Sequence, residues 1–500
     1  MQRRPAAPAP FSRLAQIVGA SLLTTTLLAS APARAAEQVE MSPEARPAPY
    51  SRSQFGSDPK YSIGAYDTKQ QIDIYGAKKK VDEPRPLIEL GQPMYKEGPL
   101  DPYWDVIGRK NLVQPSFLVY GDWRTGAAYN HQNNNKEIGQ IATRLNLDVD
   151  LQFTATERLH ALFRPLDFGG KFTHAEIFGP DANHRITVPI NLNPRTLFFE
   201  GDIGNLVAGF TDRYQTYDLP FAVGLVPLIM QNGVWFNSAI SGGAISIIGR
   251  NSPALGIANM DLTFFAGADR TTERQVFGAA TFVEANEGYW EAGIGGVNDD
   301  RLFGSGTYGN ATVAFTKRYG GWLSNSVRAV GTFGDTKPAI LPGLPQNGNG
   351  FIFLMENSLI SAKELVLVPY FNLWAGFGRP QSLLRNGDAG GILFNTGILF
   401  QTDGLTNYPT MDALGQNTYG GALGVNYLFE LEQQIVLEAA TVQRMNDNFA
   451  IGPKGDQYGV GVRYQRNLTK YLLWRADAMY AVRENESDIL GIRTEIRQKF

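Results

Sequence analysis

The chain has 500 residues, a formal net charge of -3, 19% charged residues and no cysteine. The mild acidity speaks against nucleic acid as a partner, and the lack of cysteine excludes disulfides, thiolate metal sites and thiol catalysis. Mean hydropathy is -0.20, and past the N-terminus no apolar run reaches the length of a membrane helix, so a membrane crossing would have to be made by strands. A wall that alternates lipid-facing apolar with lumen-facing polar residues averages to near-neutral hydropathy, and 54 glycines, 21 tyrosines and 29 phenylalanines suit such a wall.

In chain order, Arg3, Arg4 and Arg13 form a positive start, Leu14 to Ala31 is an apolar stretch, and Ala33-Arg34-Ala35 has the small-x-small pattern of a signal-peptidase site. Residues 1–35 are expected to be an export signal. Their removal strips four arginines and no acids, which takes the net charge from -3 to about -7. Residues 36–113 are punctuated by Pro43, Pro47, Pro49, Pro84, Pro86, Pro93, Pro99 and Pro102 and carry Lys78-Lys79-Lys80. Proline blocks regular sheet and helix, so an irregular periplasmic extension is expected: a flexible leader, or a short plug or arm for a periplasmic partner, with Tyr95, Tyr103 and Trp104 to bury.

The clearest strand runs from Arg144 to Thr154. Leu145, Leu147, Val149, Leu151 and Phe153 take one face, while Arg144, Asn146, Asp148, Asp150 and Gln152 take the other. Comparable segments fall at 116–129, 158–168, 195–202, 205–213, 242–250, 257–267, 275–285, 288–297, 306–317, 321–334, 350–360, 364–376, 417–430, 433–445, 456–467, 470–483 and 488–500. The fold predicted is all-β, a transmembrane antiparallel barrel of about 18 strands over 114–500, with sixteen to twenty strands compatible with the same pattern.

The connections alternate as well. Thr154–Glu157, Asp202–Gly204, Arg250–Gly256, Ala285–Gly288, Arg318–Gly320, Ser361–Lys363, Leu431–Glu432 and Asn467–Thr469 read as short periplasmic turns. The links 130–143, 169–194, 214–241, 268–274, 298–305, 335–349, 377–416, 446–455 and 484–487 are mostly longer and read as external loops. The apolar piece Gly391–Phe400 is placed inside a loop. Leu219–Phe236 reads as a third external loop too apolar for water, folded into the lumen or packed on a neighbour. Tyr289, Trp290, Trp322, Tyr427, Phe429, Tyr471 and Trp474 lie near strand ends, as interfacial girdles require.

At the C-terminus Ile492, Ile496 and Phe500 alternate with Arg493, Glu495, Arg497 and Lys499. This resembles the assembly signal of Gram-negative outer-membrane β-barrel proteins, although Gln498 departs from the pattern at a position where an apolar residue is common. The resemblance covers the architecture of 114–500. It implies a porin-like protein of the outer membrane, with eighteen-stranded substrate-specific porins and alginate-export-type channels among its relatives. It also implies the barrel-assembly machinery, outer-membrane lipid and lipopolysaccharide as partners.

Phasing each strand from its apolar face turns Asp122, Arg124, Arg144, Asp148, Asp150, Arg463, Arg475, Asp477, Arg483, Arg493, Glu495 and Arg497 toward the lumen. Barrel closure would join these into one arginine-rich wall. It would draw anionic or polar solutes through the pore, or its arginines would pair with the acids to hold the wall. Four histidines (His131, His160, His174, His184) form no motif with a nucleophile, and neither His174 with His184 nor Asp299-Asp300 makes a metal site. No catalytic residue, metal or cofactor is assigned. The readings are a passive channel, an exporter of an acidic polysaccharide, or a barrel sheathing a partner protein, with the oligomeric state open.

Overall fold

The computed structural model describes residues 84–92, 94 and 104–500, apart from 133–135, 169–170, 180–187, 189, 271–272, 299–306, 335–348, 361–366, 403, 430–431 and 447–451. The expected signal, most of the Pro-rich extension, Ser361–Lys363, His184, Asp299 and Asp300 lie outside the described residues.

Eighteen strands close into an antiparallel barrel. The first nine are β1 (Ser116–Gln132), β2 (Lys136–Gln152), β3 (Arg158–Phe163), β4 (Thr196–Asp202), β5 (Pro220–Met230), β6 (Phe236–Ser252), β7 (Ile257–Asp269), β8 (Gln275–Ala285) and β9 (Gly288–Asn298). The rest are β10 (Tyr308–Tyr319), β11 (Leu323–Gly334), β12 (Gly350–Leu359), β13 (Leu367–Gly378), β14 (Thr418–Phe429), β15 (Gln433–Arg444), β16 (Gln457–Asn467), β17 (Leu472–Arg483) and β18 (Ile489–Lys499). Closure is made by β1 against β18, in register from Asp122↔Lys499 to His131↔Leu490. No sheet edge is left at the seam, which is the condition for strands to cross lipid. The chain enters and leaves the barrel at one rim, the rim of short turns, which is the periplasmic one.

Alternation is visible in the walls. On β5, Val223 is 52% exposed and faces outward, whereas Val226, 3% exposed, points into the barrel. The outward band ends in exposed Trp290, Trp322, Phe429 and Tyr471 at the periplasmic rim and in Tyr419, Tyr458 and Tyr480 at the other, while Tyr289 turns to the lumen side and stacks on Phe282. An apolar band between aromatic girdles is the surface of a barrel that spans the outer membrane.

Three sequence expectations are corrected. Residues 205–213 are no strand: Ile203–Thr211 is the helix α1, so Asp202–Gly204 is not a tight turn. The Asp202 carboxylate accepts from Asn205 N at 2.8 Å, capping the helix, and Asp212 ends it in the left-handed region. Conversely, Leu219–Phe236 is not a loop, because β5 occupies most of it. Both faces of β5 are apolar since one meets lipid and the other packs inside. Its Pro227 lies beyond Leu225, the last residue paired to β4, where a missing N–H is tolerated. The two errors cancel, and the count of eighteen survives. Finally, the external link 130–143 shrinks to 133–135, because the β1–β2 ladder continues without a break to Gln132↔Lys136. Above the hydrocarbon band the outward face no longer needs apolar residues, so the sequence stops alternating before the backbone stops pairing.

The described end of the extension is partly ordered by the barrel. Ile88–Gly91 adds a strand to Ser116–Val119 of β1, below the point where β18 ends. Trp104 bridges to Val113 but stays exposed. Asn111 donates to Glu157 of the first periplasmic turn at 2.8 Å, and Gly108 lies so close to α1 that a Cβ there would sit 1.9 Å from the Gly209 carbonyl oxygen.

Candidate functional site

The long connection between β13 and β14 turns back into the barrel. Leu383, Leu393, Leu399, Phe400, Leu405 and Met411 are all buried there, and the wall opposite them is cut away by glycine. A Cβ on Gly295 of β9 would stand 2.5 Å from Leu383; on Gly461 of β16, 2.8 Å from Leu399; on Gly459, 2.6 Å from Met411; on Gly491 of β18, 2.7 Å from Pro409. These glycines are sockets for the side chains of an internal plug. The tip between β5 and β6 joins it: Trp235, fully buried, sits against Gly293 and donates from Nε1 to Asn310 Oδ1 at 2.8 Å.

Polar anchors fix the plug at several points of the wall. On β15, the buried Glu438 accepts from Ile398 N at 2.8 Å and Leu399 N at 2.9 Å, the first N–H groups of a 3₁₀ turn, and from the Tyr370 hydroxyl. Asn130 on β1 donates to the Thr406 and Asn407 carbonyls at 2.8 and 3.1 Å, and Gln457 on β16 accepts from Asp412 N at 2.9 Å. Arg385 gathers the carbonyls of Gly233, Ala389 and Gly390 and stands over the Phe394 ring at 4.4 Å. Burial pushes its guanidinium down to about 10, still charged at neutral pH. Burial also pushes the Tyr408 phenol up, and raises the Asp412 carboxyl to about 6 against the opposing Leu414 and Gly415 N–H bonds.

Beneath the plug, toward the periplasmic rim, lies a charged belt. Asp477 receives three guanidinium groups: Arg463 from β16 at 2.6 Å, Arg475 at 2.8 Å and Arg493 from β18 at 2.9 Å. Arg463 also donates to Gln401 of the plug at 2.7 Å, and Arg493 lies 4.7 Å from the Tyr408 ring centroid, so belt and plug touch. Arg124 grips Glu495 through two hydrogen bonds of 2.7 and 2.8 Å, and Arg497 pairs with Asp122 at 2.9 Å across the seam. Arg144 pairs with Asp167 of the external loop at 3.0 Å. Asp150 stands 3.7 Å from His160, whose Nε2 is bonded to Glu200 at 2.9 Å, and Asp148 shares that face of β2.

Of the residues expected in the pore wall, Arg483 stands at the external end of β17, where it closes the β17–β18 turn on Glu486 and the Ser487 carbonyl. All twelve lie along β1, β2 and β16–β18. Sequence reading missed Glu438, Asn130, Arg385 and Asp167, whereas Trp235 belongs to the apolar segment expected to fold into the lumen and is buried there. Glu438 left a signal, being a lone acid on the otherwise apolar inward face of Val436, Glu438 and Ala440. His160 is flanked by carboxylates rather than by a nucleophile, and no group of three or more metal-ligating side chains occurs among the described residues.

No protein-family model matches the chain, and no curated protein does. Solved structures similar to it include OccK2 of Pseudomonas aeruginosa, at 10% identity and TM-score 0.47, covering 76% of this chain and 97% of that one. A BenF-like porin from Pseudomonas fluorescens Pf-5 is similar at 12% identity and TM-score 0.48, with 77% and 98% covered. Wzi of Escherichia coli, described as a carbohydrate-binding β-barrel involved in capsule assembly, is similar at 12% identity and TM-score 0.42, with 76% and 85% covered.

Proposed function

We propose that this barrel is a passive channel for small polar or anionic solutes, which pass beside the plug and along the charged belt. One observation carries the reading: three guanidinium groups share the single carboxylate of Asp477 directly below the plug. Elsewhere in the belt acids match the cations more closely, as in the Arg124–Glu495 and Arg497–Asp122 pairs, which holds the wall and leaves less field. Around Asp477 positive charge is in surplus, in a low-dielectric frame that focuses it on the lumen. Guanidinium also offers a planar donor fork suited to carboxylate or phosphate.

The competing readings, a polysaccharide exporter and a sheath for a partner protein, both need an unobstructed lumen. The plug, seated on glycines of β9, β16 and β18, occupies that space. The test is the zero-current potential of single channels in a salt gradient. Anion preference is expected, and replacing Arg463 and Arg475 by Ala should reduce it. Selectivity unchanged by the double substitution would defeat the reading, as would a stoichiometric protein copurifying inside a non-conducting barrel.

A further inference from the structure

The outward wall is not uniformly convex. Across β7 to β11 a groove of about 940 Å³ opens on the lipid-facing side. Phe264, Phe277, Ile294 and Phe333 stand up from it, all exposed; the Phe277 ring lies against Gly296, and the open floor is the bare backbone at Gly309. A Cβ on Gly309 would meet nothing nearer than 3.9 Å, so this part of the floor is open space rather than a packing socket, unlike the inward glycines of the same strands.

Its position in the membrane follows from the register. Phe277 lies near the start of β8, Ile294 and Gly296 near the end of β9, Gly309 at the start of β10 and Phe333 at the end of β11, and all five residues are at the external ends. The groove therefore lies in the outer leaflet. Its upper end is polar: Thr307 donates to Asn298 Oδ1 at 2.9 Å, and Asn349 Oδ1 accepts from Gly334 N at 3.0 Å. Hydrocarbon below and hydrogen-bonding groups above match an amphiphile standing along the strands.

We propose that the groove holds one acyl chain of a lipopolysaccharide molecule, the outer-leaflet amphiphile, with its sugar head at the level of Thr307 and Asn349. The site continues the lipid interface that the fold itself establishes, and phenyl side walls with a glycine floor give an alkyl chain contact on three sides, where a convex wall gives one.

The experiment is native mass spectrometry of the full barrel extracted in mild detergent from lipopolysaccharide-containing outer membranes. It compares wild type with Gly309→Leu, which fills the floor, and Val460→Phe, which adds equal bulk to the lipid face of β16. Heat-modifiable gel migration establishes that each variant is a folded barrel. One lipopolysaccharide retained by wild type and by Val460→Phe, and lost about tenfold from Gly309→Leu, is the expected result. Equal retention by Gly309→Leu overturns the proposal. Retention of phospholipid in its place overturns the assignment of the amphiphile, and cross-linking of two barrels in the Gly309→Cys variant overturns it in favour of a second copy.

Discussion

The two sides of the lumen are built on opposite principles. Around β9 and β12–β15 the inward wall is mainly apolar or glycine, with a few polar anchors such as Asn372 and Glu438, and is filled by the plug, Trp235, Leu383, Leu393 and Phe400 forming a core like that of a soluble protein. Around β16–β18 and β1–β3 the plug packs only on the upper wall, at Gly459, Gly461 and Gly491, and below it the wall is charged, with side chains held by ion pairs. The first arrangement excludes water and fixes a shape. The second keeps polar groups in reach of solutes but requires each charge to have a partner, since guanidinium in a confined space is tolerated only with compensation. A barrel that only needed stability could have used the first design throughout.

The largest effect should come from removing the filled side. Replacing residues 386–411 by a short Gly-Ser bridge deletes most of the plug and leaves the strands paired. Single-channel conductance should rise several-fold, since the constriction sets the resistance of a pore. Unchanged conductance would mean that the current path does not pass the plug, and the contrast drawn between the two sides would lose its functional meaning.

A single atom tests the charged side. Asp477→Asn leaves three guanidinium groups without their shared carboxylate, and stripping a buried partner in this way costs about 3–5 kcal/mol. Urea unfolding followed by gel migration should show the loss, and the surviving channels should become more anion-selective. Stability within error of wild type would show that water, not Asp477, compensates these arginines.

How much of this was legible in the sequence differs between the two sides. The charged wall could be phased from strands such as Arg144–Thr154, where an apolar face opposes a charged one, and all twelve residues so phased fall on the strands near the seam. The filled side defeats the same method. On β5 and β9 the inward residues are Val, Leu or Gly because they face a protein core, so inside and outside look alike to a two-residue period, and Leu219–Phe236 passed for a loop. Gly293, Gly295, Gly459 and Gly461 read as neutral wall residues until the plug is placed against them. The helix α1 was misread because its apolar residues fall at spacings that a short strand also permits; the cap at Asp202 was the distinguishing mark.

The junction of the two sides is Glu438, an acid on the wall that holds the plug's 3₁₀ turn. Glu438→Gln keeps the size but removes the charge and presents an amide N–H₂ toward two N–H donors. Hydrogen bonds to a charged acceptor contribute about 1.5–3 kcal/mol. Plug docking should weaken by that order, visible as brief transitions toward the high-conductance level of the excision variant. A channel as quiet as wild type would place the anchoring in the glycine sockets alone.

The smallest effect concerns pH and the far end of the plug. Asp412 is held above its ordinary carboxyl range, at about 6, by burial, so the docked plug binds its proton more tightly than the free loop does. A raised carboxyl favours docking fully below the unperturbed value, near 4, and this contribution is lost as pH rises through about 6. Between pH 5 and pH 7.5, values that bracket the docked pKa, plug openings should therefore become modestly more frequent. The Gln457 bond to the Asp412 backbone is unaffected, because that donor does not titrate. In Asp412→Asn the pH dependence over this window should disappear while the Glu438-dependent transitions stay as they were. Openings that become rarer as pH rises in wild type would reverse the sign and point to a group other than Asp412, on the charged side rather than the filled one.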